Sequence, residues 1–220
     1  MHRLYRGTPP GCLANFQHGS DNWNALGFTE KEEIRDALNS MQGKRCAYCE
    51  CQLSSDNQHI EHFWQRSYYP QGTFAWDNLF WSCCQNDSCG KHKDLLPITY
   101  DHRDLIKADV DNPEHFFHFM SDGTISIRSG LSAAERERAE ETLRIFNLDP
   151  HHGRLRAMRR TAAAGYKDTG LAVAHLLEEG AAPTECLEFI MEELNHTANL
   201  PFCTAIRHTL LPASMHLSTP

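Results

Sequence analysis

The sequence predicts an α+β protein in which a small metal-bound module with short strands precedes a mainly helical C-terminal lobe. Three observations predict this. Most of the nine cysteines fall between Cys46 and Cys89. The apolar runs of that segment are short, at residues 60–64 and at 79–82, and are bounded by turn residues. From Ser132 onward, apolar residues recur at helical spacing between Gly, Pro and Asn breaks. A chain of 220 residues that is 40% hydrophobic can bury a core as one domain or two small lobes. The expected division is an N-terminal arm and helix over residues 1–42, a module with a zinc knot and a β-hairpin over 43–130, and a helical lobe over 131–220.

Residues 1–28 are rich in glycine, proline and scattered aromatics and read as an irregular arm. Thr29 with Glu32 has the form of a capping box, and Ile34, Ala37, Leu38 and Met41 continue a helix to Gly43. The two short runs of the cysteine segment are short strands or a strand pair. Residues 116–120, the Asp122-Gly123 turn and residues 125–128 predict a hairpin. Ser132 with Glu135 is a second capping box, opening a helix through Ala139, Leu143 and Phe146 to Asn147. Four further helices are expected over about 151–167, 169–179, 183–196 and 199–211.

Cys46-Ala47-Tyr48-Cys49 is a CxxC pair, and Cys83 with Cys89 supplies a second after an intervening loop. Four sulfurs make a closed tetrahedral zinc site that folds the module and leaves no open position for water. Cys84 in place of Cys83, and Cys51 in place of Cys49, are alternatives. Clustering and an odd count favour metal over disulfides, while Cys12, Cys186 and Cys203 read as small buried hydrophobes.

Side chains alternate along a strand, so His59 and Glu61 share one face and Ile60 and His62 the other. Adjacent Glu61 and His62 therefore diverge, as needed if a carboxylate holds a metal while an imidazole activates water at the same phosphate. Phosphodiester cleavage requires a nucleophile at neutral pH and relief of charge on the leaving oxygen, which a histidine base and one divalent cation supply. His62 is assigned as general base, Asn78 as the group orienting it, and Glu61 with His92 as ligands of a Mg²⁺ or Mn²⁺ ion, although imidazole also admits Zn²⁺ or Ni²⁺. Lys91 and Lys93 are candidates for phosphate contacts.

Together, Cys46-x-x-Cys49, Glu61-His62, Asn78-Leu79, the Cys83 to Cys89 pair and His92-Lys93 resemble the HNH, or ββα-metal, nuclease family over roughly residues 43–95. Arg6-Gly7, Cys12-Leu13, Phe16, Trp23, Met41-Gln42-Gly43, Glu50 and Ile60-Glu61-His62-Phe63 extend the likeness to the PtuB effectors of Septu-type and retron-associated antiphage defence. The resemblance implies a PtuA-like ATPase partner, in the retron form a reverse transcriptase and its msDNA, and attack on nucleic acid, DNA in general and tRNA among retron-linked relatives. Glu61 stands where Asp or His is more usual and keeps the charge. The long Cys83 to Cys89 segment leaves Asn86 and His59 as alternatives to His92 for the last ligand.

A formal net charge of −8 argues against nucleic-acid binding by bulk electrostatics, so contacts must be local, metal-bridged or lent by a partner. No run approaches the roughly 18 apolar residues of a membrane span, and residues 1–7 lack a signal-peptide core; a cytoplasmic location is expected. Arg154, Arg156, Arg159 and Arg160 form the one dense basic run, read first as a solvated face or ion-pair partners of the acidic helices, with a grip on substrate phosphates as the other reading. Leu176, Leu177, Leu187, Phe189, Ile190 and Leu194 read chiefly as core, with a docking face as the other reading. Ten of the histidines outside the motif, His216 among them, read as solvated or structural groups. The competing functional class is a zinc-stabilised, non-catalytic adaptor; the discriminating feature is the simultaneous presence of Glu61, His62, Asn78 and His92, which a pure binding module has no reason to keep. A zinc hydrolase using His59 and His62 on one ion is disfavoured by their opposite faces.

Overall fold

A computed structural model describes residues 1–96 and 100–211; His216 lies outside them. The elements in chain order are α1 (Phe28–Gln42), β1 (His59–His62), β2 (Leu79–Ser82), α2 (Cys89–Leu95), α3 (Pro113–Phe116), β3 (Phe117–Phe119), β4 (Ile125–Ile127), α4 (Ala133–Ile145), α5 (Arg154–Ala164), α6 (Lys167–Glu178), α7 (Pro183–Thr197) and α8 (Cys203–Leu210). The described protein is α+β, with two small two-stranded antiparallel sheets. No helix among the described residues is long and apolar enough to cross a membrane.

The described residues fold as two compact units, the first from residues 1–114 with 132–148, the second from residues 115–131 with 149–211. The hairpin, expected with the cysteine module, packs within the second unit, and α4, expected in the helical lobe, packs within the first. Local pattern identifies each element but not its neighbours, which are chosen by long-range packing.

In the first unit α1 starts one residue before the expected Thr29, with Gly27 at its N-cap and no side-chain cap. The Thr29 box is unused because Thr29 lies inside the first turn, and Glu32 pairs with Arg35. The helix stops where Gly43 takes a left-handed conformation (φ 59°) and its N–H bonds Asn39 O at 2.9 Å, a geometry glycine adopts without strain. Ile34 and Leu38 are fully buried. β1 pairs with β2 with His59 opposite Ser82 and His62 opposite Leu79, and α2 follows, a β–β–α order. The core joins rings from distant segments: Tyr48 stacks on Phe146 at 4.1 Å, and Phe63 lies 6.1 Å from both Phe80 and Phe146. Arg6 anchors the N-terminal arm, pairing with Asp109 at 2.7 Å and lying over the Phe80 ring at 4.5 Å. The Ser132–Glu135 capping box of α4 forms as expected.

In the second unit β3 and β4 pair with Phe117 opposite Ile127. The arginine run is half consumed by one loop acid, Asp149, which Arg156 and Arg159 grip at 2.8 and 2.9 Å. Arg159 is buried and also donates to Gly123 O at 2.7 Å. Helices α6, α7 and α8 close around Val173, Cys186, Ile190, Ile206 and Leu210. Of the apolar series on α6 and α7, Leu177, Leu187 and Leu194 pack against this core, while Phe189 is 63% exposed. The last helix begins at Cys203 rather than 199, because Phe202 adopts a left-handed backbone (φ 58°) directly before it.

Candidate metal centre and active site

The four-sulfur group assembles from three segments. Cys46 and Cys49 lie on a tight turn, in which Glu50 N bonds Cys46 O and Cys46 N bonds Cys51 O, both at 3.0 Å. The turn docks on β2 through Ala47 N to Trp81 O, 3.0 Å. Cys83 directly follows β2 and Cys89 opens α2. All four sulfurs lie within 4.8 Å of one another and all four residues are buried, so the group can hold a metal ion. Burial alone would keep the Cys46 thiol protonated, but hydrogen bonds from the surrounding thiols hold it well below the ordinary thiol range. All nine cysteines are free of disulfides. Cys84, the alternative to Cys83, turns the other way, with its sulfur 3.7 Å from His59 Nδ1. Cys51 is buried and bonded to the other thiols, but it is not among the four.

β1 separates Glu61 and His62 as the alternation requires. Glu61 is 1% exposed, with Oε2 3.0 Å from His59 Nε2 and Oε1 2.7 Å from Lys93 Nζ. Burial would raise its pKa, but the charge of Lys93 and the hydrogen bond from His59 outweigh that and hold it at about 2. Glu61 is therefore a carboxylate at neutral pH. Gly90 lies directly over it: a Cβ there would come 2.3 Å from Glu61 Oε2. Only a glycine lets the first turn of α2 approach so closely.

His62 is buried, with Nε2 3.0 Å from the carbonyl oxygen of Thr73 and its ring edge-on to Trp23 at 4.5 Å. A carbonyl only accepts, so Nε2 carries the proton and Nδ1 the lone pair. Burial lowers its pKa to about 4 despite the hydrogen bond to Thr73, leaving a neutral imidazole at pH 7. Asn78 is wholly buried and does not touch His62. Its Oδ1 accepts from Trp64 N at 2.5 Å and its Nδ2 donates to Gly72 O at 2.9 Å. It thus ties down both ends of the loop whose Thr73 carbonyl receives the His62 proton. The expected orientation of His62 by Asn78 has no direct hydrogen bond among the described residues, and the connection between them is the backbone of this loop.

The α2 residues depart from expectation. His92 does not meet Glu61, since its Nδ1 is held 2.9 Å from Ile145 O; the imidazole against Glu61 is His59. Asn86, another alternative, is exposed on the Cys83 to Cys89 loop. Lys93, expected at a phosphate, is 1% exposed and bonds Glu61, His62 O at 2.9 Å and Asp94 at 2.8 Å. Lys91 is half-buried. Sequence reasoning gave no role to Trp23 and Arg66, whose charge acts on His62 and whose guanidinium lies 5.8 Å from the Trp23 ring. An aromatic in a Gly-rich arm carries no periodic signal that would place it.

No protein-family model matches the chain. It is 28% identical over 132 residues to the Vibrio cholerae serotype O1 biovar El Tor protein named "Retron Vc95 putative HNH endonuclease", covering 56% of this chain and 60% of that one. It is 30% identical over 127 residues to the Septu protein PtuB of Bacillus thuringiensis, covering 52% of this chain and 45% of that one. The chain spans about half the length of the curated relatives it matches. The motifs that resemble HNH proteins are thus joined by measured similarity to two homologues, and together they support reading the chain as HNH-like kin of these retron and Septu proteins.

Proposed function

We propose that the chain is a metal-dependent HNH endonuclease hydrolysing phosphodiester bonds in nucleic acid, acting in the cytoplasm as an antiphage effector with an ATPase partner. The observation that carries this reading is the pairing on β1 of a neutral, tautomer-fixed His62 with an ionised Glu61 on the opposite face. Around them, β1, β2 and α2 follow the ββα order of that family, stapled by four cysteines.

His62 Nδ1 takes the proton of the attacking water. Thr73, held through Asn78, keeps the imidazole in the tautomer that makes this atom basic. Glu61 and His59 provide an oxygen and a nitrogen side by side, a donor pair that fits a divalent ion such as Mg²⁺ or Mn²⁺. His59 takes the place expected of His92. Such an ion, when bound, stabilises charge on the departing oxygen. Lys93 keeps Glu61 ionised inside the protein, and Lys91, on the outer side of α2, is the remaining lysine for a phosphate. Four thiolates fit zinc, whose role is to hold Cys46, Cys83 and the start of α2 in register.

The relatives' names place them in Septu and retron systems, which supports a defence role here and, with it, a PtuA-like ATPase. In a retron setting a reverse transcriptase and its msDNA join the assembly. An acidic chain gains most from a partner that supplies basic surface. DNA is the favoured substrate and tRNA the other. Incubating plasmid DNA and total tRNA with the chain, with and without the ATPase, in Mg²⁺ or Mn²⁺, tests the reading: metal-dependent cutting of either supports it, and intact substrates in every combination refute it.

A further inference from the structure

Two clefts of the first unit meet at Trp23. The larger, about 610 Å³, is walled by α1 and the start of β1 and reaches Lys31, Arg35, Gln58 and His59. The smaller, about 460 Å³, runs between the arm and the loop after β1 and reaches His18, Arg66 and Thr73. Trp23 lines both. Its ring is backed by Phe74 at 6.2 Å, itself stacked on Phe16 at 5.5 Å, and it meets His62 in a T-shaped contact at 4.5 Å. The wall between the clefts is therefore a braced aromatic ring touching the proposed base. His59 opens on one side of it, and Thr73, the partner of His62, on the other.

Charge in these clefts is nearly balanced. Lys31 and Arg35 face Glu32 and Asp36 in the larger one, and Arg66 with His18 faces Asp21 in the smaller. Arg35 is paired with Glu32, whereas Arg66 is exposed and has no ion pair among the described residues. A duplex is gripped along its phosphates and needs many cations. These walls instead offer an aromatic face, hydrogen-bonding side chains and one free guanidinium, the means by which unpaired bases are held. Each volume lies in the range of a small-molecule pocket, roughly 300–1,000 Å³, and so admits one base with its sugar.

We propose that the two clefts are a binding site for unpaired nucleotides of a single-stranded or locally unpaired nucleic acid. Trp23 stands between two successive nucleotides, one in each cleft, Arg66 receives one phosphate, and the linking phosphate passes Trp23 beside His62 and His59. This deepens the nuclease reading and rests on it for the identity of the bond attacked. Recognition by stacking also accounts for how an acidic chain engages nucleic acid at all.

The test is fluorescence anisotropy of the zinc-loaded chain, without added divalent cation, on a labelled 12-nucleotide single strand as DNA and as RNA, and on the same sequence fully paired. The single strand is expected to bind at least about tenfold tighter than the duplex. Trp23→Ala should lose roughly 5- to 100-fold of that affinity, the range of one base stack, and Trp23→Phe should restore most of it. Arg66→Ala should weaken binding and lower the slope of log K against log salt by about 0.7. A melting curve accompanies each variant, and Arg66→Ala, at an exposed position, keeps the test valid should Trp23→Ala unfold. Whichever of DNA or RNA binds tighter identifies the strand chemistry. Equal or tighter binding of the duplex, no binding of either strand, or single-strand affinity untouched by both variants overturns the proposal. Metal-dependent cutting confined to duplexes overturns it while sparing the nuclease reading. Trp23-dependent single-strand binding without cutting under any condition supports the site and sinks the nuclease.

Discussion

Lys93 Nζ lies 2.7 Å from Glu61 Oε1, with both side chains sealed from solvent. Removing one member of a buried pair leaves the other charge uncompensated, at a cost of about 3–5 kcal/mol. Lys93→Met is therefore expected to lower unfolding free energy by that amount in denaturant titrations. Lys91→Ala should stay within about 0.5 kcal/mol of wild type. Equal, small effects at both positions would show that Lys93 is a surface lysine like its neighbour.

The ligand partner of Glu61 is decided by comparing two histidines. His59→Ala should weaken Mn²⁺ binding, measured calorimetrically, by at least about tenfold. His92→Ala should leave it nearly unchanged and cost only the hydrogen bond to Ile145 O, about 1 kcal/mol. The reverse pattern restores His92 as the ligand and requires α2 to turn.

These two positions also show where the sequence stops being informative. Strand alternation placed His59 beside Glu61, CxxC spacing found Cys46 and Cys49, the short Cys83 to Cys89 segment supplied the second pair, and the Ser132 box opened a helix where expected, because each is a relation over a few residues. The rotation of α2 is not such a relation. It is set by Cys89, which sits in a left-handed backbone (φ 61°) with its N–H bonded to Phe146 O at 2.7 Å, and by a glycine that lets the helix approach Glu61. Those contacts turn Lys93 inward and His92 toward Ile145, across more than fifty residues of sequence. The same distance hid the placement of α4.

Asn78 is expected to act through the loop it ties. Asn78→Ala leaves Trp64 N–H and Gly72 C=O without their side-chain partner and should cost about 2–4 kcal/mol. Nuclease activity should fall while zinc content, measured by atomic emission, is retained. A variant that loses zinc and activity together would place Asn78 in the support of the cysteine knot instead.

The cysteine group is predicted to be a folding element. Cys46→Ser or Cys89→Ser should lose the zinc and unfold the first unit, whereas Cys84→Ser should keep both. Zinc retained in Cys89→Ser but lost in Cys84→Ser would reassign the ligands.

In the second unit, His118 is held at about pKa 4 by burial, with the His208 and Arg128 charges adding to it. His208 accepts the Phe119 N–H on Nδ1 at 3.0 Å. The unfolded chain, near 6.5, binds protons first, so stability is present above that value and is lost as pH falls toward the folded pKa. Urea midpoints should therefore drop as pH falls from about 6.5 toward about 4, and His118→Gln should flatten that fall. A variant with the wild-type slope would remove His118 from the account.

The most direct test of the central claim compares wild type with His62→Ala for cleavage of single-stranded and duplex DNA and of tRNA in Mg²⁺ or Mn²⁺, each alone and with the ATPase partner. The expected result is metal-dependent cleavage that His62→Ala abolishes with bound zinc unchanged. Equal cleavage by the mutant would remove His62 as the base, and no cleavage by either protein in any combination would make the chain a zinc-stabilised adaptor.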